Sequence, residues 1–154
     1  MASWSTGDLM GPDGEDWRVP VTELESRLNN LSNNLSDAGI SGALIQNPVD
    51  LYYYAGGRQN GALFVPSSDS NANIEQGGNG PIFYVRRSVS RAKYESGDND
   101  SPLEVEKFPS LRTFAETLSK QGLEGAPALQ FGEIPADFCD KFRSVLSPLG
   151  QATD

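Results

Sequence analysis

The sequence contains no histidine. That absence excludes a Ser-His-Asp or Cys-His arrangement, because both need an imidazole to take the proton from the nucleophile. It also removes the usual histidine-containing zinc sites, and the single cysteine, Cys139, cannot build a thiolate cage. One cysteine forms no internal disulfide. Cys139 stands among apolar residues of an expected helix, where a thiol behaves as a small core hydrophobe. Long apolar runs are missing too: nothing approaches the roughly 20 residues of a membrane span. Residues 1–16 have neither the basic start nor the apolar stretch of a secretory signal, so a cytoplasmic location is expected. Basic side chains are scarce, with 12 Lys and Arg against 21 Asp and Glu, a net charge of −9. They are scattered, and only Arg86 and Arg87 are adjacent. A nucleic-acid or anionic-lipid partner needs a positive patch, so neither is expected. Carboxylates are plentiful, but Glu95, Asp98 and Asp100 lack the spacing of a calcium loop and read as a solvated acidic loop.

What is present suits one domain: 154 residues, 37% of them hydrophobic, enough for a single core. Residues 1–19 read as a leader with little periodicity, touching the domain at most through Trp4 or Trp17. The domain itself spans 20–150, and 151–154 would begin a linker. A helix is expected after Pro20, with Thr22 and Glu25 as a capping box. Leu24, Leu28, Leu31 and Leu35 form one stripe on it, and Gly39 supplies a left-handed end. A short buried strand at 43–46 precedes an Asn47-Pro48 turn. Residues 49–54 read as a short helix or turn, broken by Ala55, Gly56 and Gly57.

Strands are expected at 61–65 and 81–85, antiparallel across a long polar connection, 67–80, whose only apolar anchor is Ile74. Such a segment cannot recover its ordering entropy by burial, so it reads as a mobile surface loop. Further on come a helix at 88–95, a strand at 105–108, a helix at 110–121 and a strand at 128–131. A last helix starts near Pro135, its apolar face made of Phe138, Phe142, Val145 and Leu146. A central hairpin followed by strand–helix alternation predicts an α/β fold: a mixed sheet with helices on both faces.

The ordered series of motifs resembles the N-terminal domain of the creatinase, prolidase and Xaa-Pro aminopeptidase family. The series begins with Arg27-Leu28 in a helix and a glycine turn into Ala43-Leu44-Ile45. Asn47-Pro48 and the tyrosine-rich Tyr52-Tyr53-Tyr54 ending at Gly56 follow. Leu63-Phe64-Val65 and Phe83-Tyr84-Val85-Arg86-Arg87 complete it. The resemblance covers roughly 21–149. It implies a three-layer α/β/α fold with a mixed five- to six-stranded sheet and a ribonuclease H-like motif. It also implies that catalysis belongs to a separate C-terminal domain holding divalent metals. This chain would then have no catalytic residue, cofactor or metal of its own. Its partners would be that catalytic domain and further copies of itself in a homo-oligomer.

The same resemblance makes a substrate-access rim of Tyr54, Arg58, Gln59 and Asn60. Gly56 and Gly57 release the backbone there, three large polar side chains follow, and Arg58 could fork a substrate carboxylate. Two other readings stay open at this point. One is a stand-alone binding or assembly module that kept the fold without the enzyme. The other is a self-contained enzyme built on carboxylates such as Glu133 and Asp137, although acidic residues also favour helix starts for dipole reasons alone.

Overall fold

A computed structural model describes residues 12–130 and 132–150. Trp4, Phe131 and the 151–154 segment, on which expectations were placed above, lie outside the described residues. Helix α1 (Val21–Asp37) buries Leu24, Leu28 and Leu35, the expected stripe, and Gly39 follows it with φ +72°. The capping box does not form. The helix starts two residues earlier than its motif requires, and the Pro20 carbonyl accepts the N–H groups of Glu23 and Leu24. Thr22 is therefore already inside the first turn. Strand β1 (Gly42–Ile45) leads to helix α2 (Pro48–Ala55). Asn47 caps α2, its Oδ1 accepting the Val49 N–H at 2.9 Å, and Pro48 occupies the first helical position, where no N–H is needed.

Strand β2 (Gly61–Pro66) and strand β3 (Ile82–Val85) pair antiparallel, Leu63 opposite Phe83. Helix α3 (Val89–Ser96), strand β4 (Glu104–Lys107), helix α4 (Phe114–Lys120), strand β5 (Ala128–Leu129) and helix α5 (Ala136–Val145) complete the chain. The helix expected over 110–121 is split. Leu111–Thr113 forms a tighter turn capped by Ser110, and Thr113 (φ −106°, ψ 5°) departs from helical geometry before α4 begins. The sheet has five strands in the order β4-β3-β2-β1-β5, with β1–β2 and β2–β3 antiparallel and β3–β4 and β1–β5 parallel. Four strands thus point one way and β2 runs against them.

Both sheet faces are covered, and the period-two alternation of the strands divides the core between them. Leu44, Ala62, Phe64, Ile82 and Tyr84 face Phe114, Leu118, Phe142 and Leu146 of α4 and the α5 end. Their neighbours Ala43, Ile45, Leu63, Val65, Phe83 and Val85 face Leu28, Leu35, Leu51 and Ala92 of α1, α2 and α3. That is the three-layer α/β/α arrangement. Cys139 is buried on the core side of α5. Phe138, expected in the same apolar face, is instead 39% exposed. No described helix is long and apolar enough to cross a membrane.

Three expectations about polar segments are corrected. Ile74 does not anchor the 67–80 connection: it is 63% exposed, while Ala72, Ser67 and Ser70 are buried. The connection is bonded down at both ends. Ser67 N–H donates to the Ser41 carbonyl, Ser68 N–H to the Ser32 carbonyl, and Gly80 N–H to the Ala72 carbonyl at 2.8 Å. Backbone groups satisfied in this way need no apolar side chain to hold them. Secondly, Glu95 does not belong to a solvated acidic loop. It sits on α3, buried, with its carboxylate 3.1 Å from Arg91 Nε. Thirdly, the leader docks through Arg18 and not Trp17, which is 59% exposed. Arg18 grips Asp16, reaches the Tyr94 carbonyl and Asp98, and lies over the Tyr94 ring. This pairing holds the Asp16 carboxyl down at about 2 and pushes Arg18 upward.

Candidate functional site

The rim is built from the end of α2 and the return into β2. Gly56 ends α2 with φ +78°, a conformation that disfavours a side chain. A Cβ there would also fall 2.7 Å from the Glu95 carbonyl oxygen, and a Cβ on Gly57 would fall 2.0 Å from the Glu95 carboxylate. The two glycines therefore do more than loosen the backbone. They let it pass against α3, and both are buried.

The four residues expected at the rim divide. Arg58 and Asn60 are exposed, Tyr54 and Gln59 half-buried. Gln59 turns inward, its Nε2 donating to Glu95 Oε1 at 3.3 Å. Tyr54 packs against the α1–α2–α3 side of the core, and its ring meets Tyr53 edge-on at 4.9 Å. Burial pushes the Tyr54 hydroxyl upward, with Tyr53 and Asp50 adding to it. The Asn60 carbonyl accepts the Arg86 N–H, which ties the rim to the end of β3. Arg58 has no hydrogen bond or salt bridge among the described residues. Its guanidinium is thus available to a carboxylate in the bidentate geometry that suits it.

Two residues that the sequence did not assign to the rim hold this edge in place. Glu95 binds Gln59 and Arg91 together; the i, i+4 spacing of Arg91 and Glu95 was a readable signal for the pair. Gln130 does the equivalent for α2. Its Oε1 accepts the backbone N–H groups of Gln46 (2.7 Å) and Asn47 (2.9 Å), and its Nε2 donates to Asp50 at 2.6 Å. The side chain stands in for a strand neighbour just past the end of β5 at Leu129. Nothing in the local sequence distinguishes Gln130 from an ordinary polar residue at a strand end.

A cavity of about 350 Å³ adjoins the rim, with Gln46, Asn60, Arg86, Glu133 and Phe138 in its wall. Glu133 leans on the Asn47 amide at 3.4 Å, and both Glu133 and Asp137 are exposed. They are not joined to a third ligating group: among the described residues no cluster of three or more Asp, Glu or Cys could hold a metal. A larger hollow, about 550 Å³, lies between α1 and the 67–80 connection, away from the rim.

The fold and this edge define an α/β domain with a mixed five-stranded sheet and a tied-down rim. The chain belongs to the creatinase/prolidase N-terminal domain family, whose model matches residues 27–153. Solved structures similar to it include the aminopeptidase P, an Xaa-Pro aminopeptidase, of Streptococcus thermophilus, at 11% identity and TM-score 0.62, covering 85% of this chain and 91% of that one. The N-terminal domain of the cytoplasmic peptidase PepQ of Mycobacterium tuberculosis is similar at 20% identity and TM-score 0.58, covering 84% and 89%. The dipeptidase PepE of Mycobacterium ulcerans is similar at 22% identity and TM-score 0.63, covering 88% of this chain and 35% of that longer one. At these identities the likeness is one of fold. No curated protein sequence matches the chain.

Proposed function

We propose that this chain is the non-catalytic N-terminal domain of a proline-specific metallopeptidase, of the Xaa-Pro aminopeptidase or prolidase-like kind. It acts in the cytoplasm, promotes assembly into a homo-oligomer, and shapes substrate access to a C-terminal catalytic domain. The observation that carries this reading is the family match over 27–153. The similar structures are Xaa-Pro peptidases and dipeptidases, one of them a cytoplasmic peptidase, which supports the class and the location. Divalent metals belong to the catalytic domain in this reading. The residues present do not fit them, since the chain has no histidine and its described carboxylates do not converge.

The rim gives the domain a way to act on an enzyme it does not contain. Arg58 projects from a backbone that Gly56, Gly57 and Gln59 tie to Glu95, so a substrate carboxylate would meet a positioned guanidinium. The test assays Xaa-Pro dipeptides and longer Xaa-Pro peptides with added manganese, cobalt or zinc. The chain alone is compared with a protein that also carries whatever its coding sequence specifies past Asp154. Turnover is expected only from the longer protein, and Arg58→Ala in it should reduce kcat/KM by about 1.5–3 kcal/mol of transition-state binding. Metal-dependent turnover by the chain alone overturns the reading. A coding sequence that stops at Asp154 favours the stand-alone assembly module instead.

A further inference from the structure

Strands β1, β3, β4 and β5 point in one direction. In α/β sheets, ligands bind outside the carboxyl ends of such strands. The 350 Å³ cavity lies there: Gln46 follows β1, Arg86 follows β3, and Asn60 stands where β2 begins. Its volume falls in the range of small-molecule sites.

The polar groups in it are unsatisfied in complementary ways. The Arg86 guanidinium lies 4.3 Å over the Phe108 ring, which fixes its plane, and it forms no salt bridge among the described residues. Its edge N–H groups remain to fork a carboxylate. Glu133 adds a carboxylate to the same wall, and it too forms no salt bridge among the described residues. Pro48, Ile134, Pro135 and the partly exposed Phe138 supply an apolar surface.

We propose that this cavity binds a free amino acid with an apolar side chain. Arg86 takes the α-carboxylate, Glu133 receives the ammonium, and the side chain lies on Phe138 and Pro135. A simple dianion such as phosphate would meet Glu133 unfavourably, and an uncharged apolar ligand would leave Arg86 and Glu133 without partners. The inference does not depend on a catalytic domain, so its failure and that of the peptidase reading are separately visible.

The test is calorimetric titration of the whole chain with L-leucine, L-leucinamide and N-acetyl-L-leucine. L-leucine should bind saturably with Kd on the order of 1 mM. L-leucinamide, which lacks the carboxylate, and N-acetyl-L-leucine, which lacks the ammonium, should each bind at least about tenfold more weakly. Arg86→Ala and Glu133→Gln should each weaken L-leucine by a similar factor. The ligand comparison needs no variant, so it decides the matter even where a variant does not fold. Absence of saturable L-leucine binding below about 20 mM overturns the proposal. Equal affinity for L-leucinamide, or an unchanged Kd in folded Arg86→Ala, overturns it as well. Equal affinity for N-acetyl-L-leucine overturns the free amino acid in favour of a peptide carboxyl terminus.

Discussion

The segments 54–60 and 67–80 are both glycine-containing, polar and without obvious apolar anchors, yet the domain holds them by different means. The rim is held by a side chain. Glu95, buried on α3 and paired with Arg91, meets Gln59 and fills the space that Gly56 and Gly57 leave open. The longer segment is held at many points. Its peptide groups bond to the carbonyls of Ser32 and Ser41, it closes on itself between Ala72 and Gly80, and the exposed Asn71 and Asn79 amides donate to Glu124 and Gln121. The difference lies in what can fail. A single side-chain anchor concentrates the attachment in one buried charge, whereas a set of hydrogen bonds spreads it over several positions.

The sharpest way to break this comparison is Glu95→Ala. It removes the carboxylate shared by Arg91 and Gln59, and truncating one member of a buried pair costs about 3–5 kcal/mol. Urea denaturation should show a loss near the lower end of that range, and amide exchange should quicken at residues 57–59. A loss below about 1 kcal/mol would mean that the rim holds itself without the anchor. Gly78→Ala is the corresponding change in the longer segment. A Cβ there would lie 2.2 Å from the Ala72 carbonyl oxygen, a backbone atom with little room to yield. The expected cost is about 1–3 kcal/mol by the same measurement. An effect within about 0.5 kcal/mol would show that the segment merely rests on the surface.

A smaller effect is expected from the Asp16–Arg18 attachment of the leader. The Asp16 carboxyl is lowered from 3.8 to about 2, chiefly by its hydrogen bond with the Arg18 side chain. A lowered folded-state value contributes stability that is present above the unfolded value and lost as pH falls through the folded one. The attachment should therefore loosen between about pH 4 and pH 2. Its exposure keeps the contribution small. Trp17 emission in a Trp4→Phe background should change across this window, and Asp16→Asn should abolish that part of the transition. A transition that persists in Asp16→Asn assigns it to other groups. The smallest effect belongs to Arg58→Ala in this chain, which should stay within about 0.5 kcal/mol because the side chain is exposed and forms no hydrogen bond or salt bridge among the described residues. A loss above about 1 kcal/mol would make Arg58 structural and remove it from the rim proposal.

Much of the fold was legible because burial leaves a period in the sequence. Leu24, Leu28 and Leu35 repeat at helical steps, and Leu63, Phe64 and Val65 fill both faces of a central strand. Asn47-Pro48 marked the start of α2 by capping chemistry that acts over three residues. The candidate rim was legible only in part. Arg58 and Asn60 are exposed as expected, but Gln59 faces inward because its partner, Glu95, lies 36 residues away on α3. The same distance in sequence hid Gln130, whose bonds to Gln46 and Asn47 span more than 80 positions. The sequence by itself determined the elements, their buried faces and the class of fold, since these follow from local propensity and the spacing of apolar residues. Only the tertiary structure decided which polar residues serve as anchors and which stay exposed. A polar side chain reads the same in sequence whether it meets water or a buried partner, and the partner is supplied by another element.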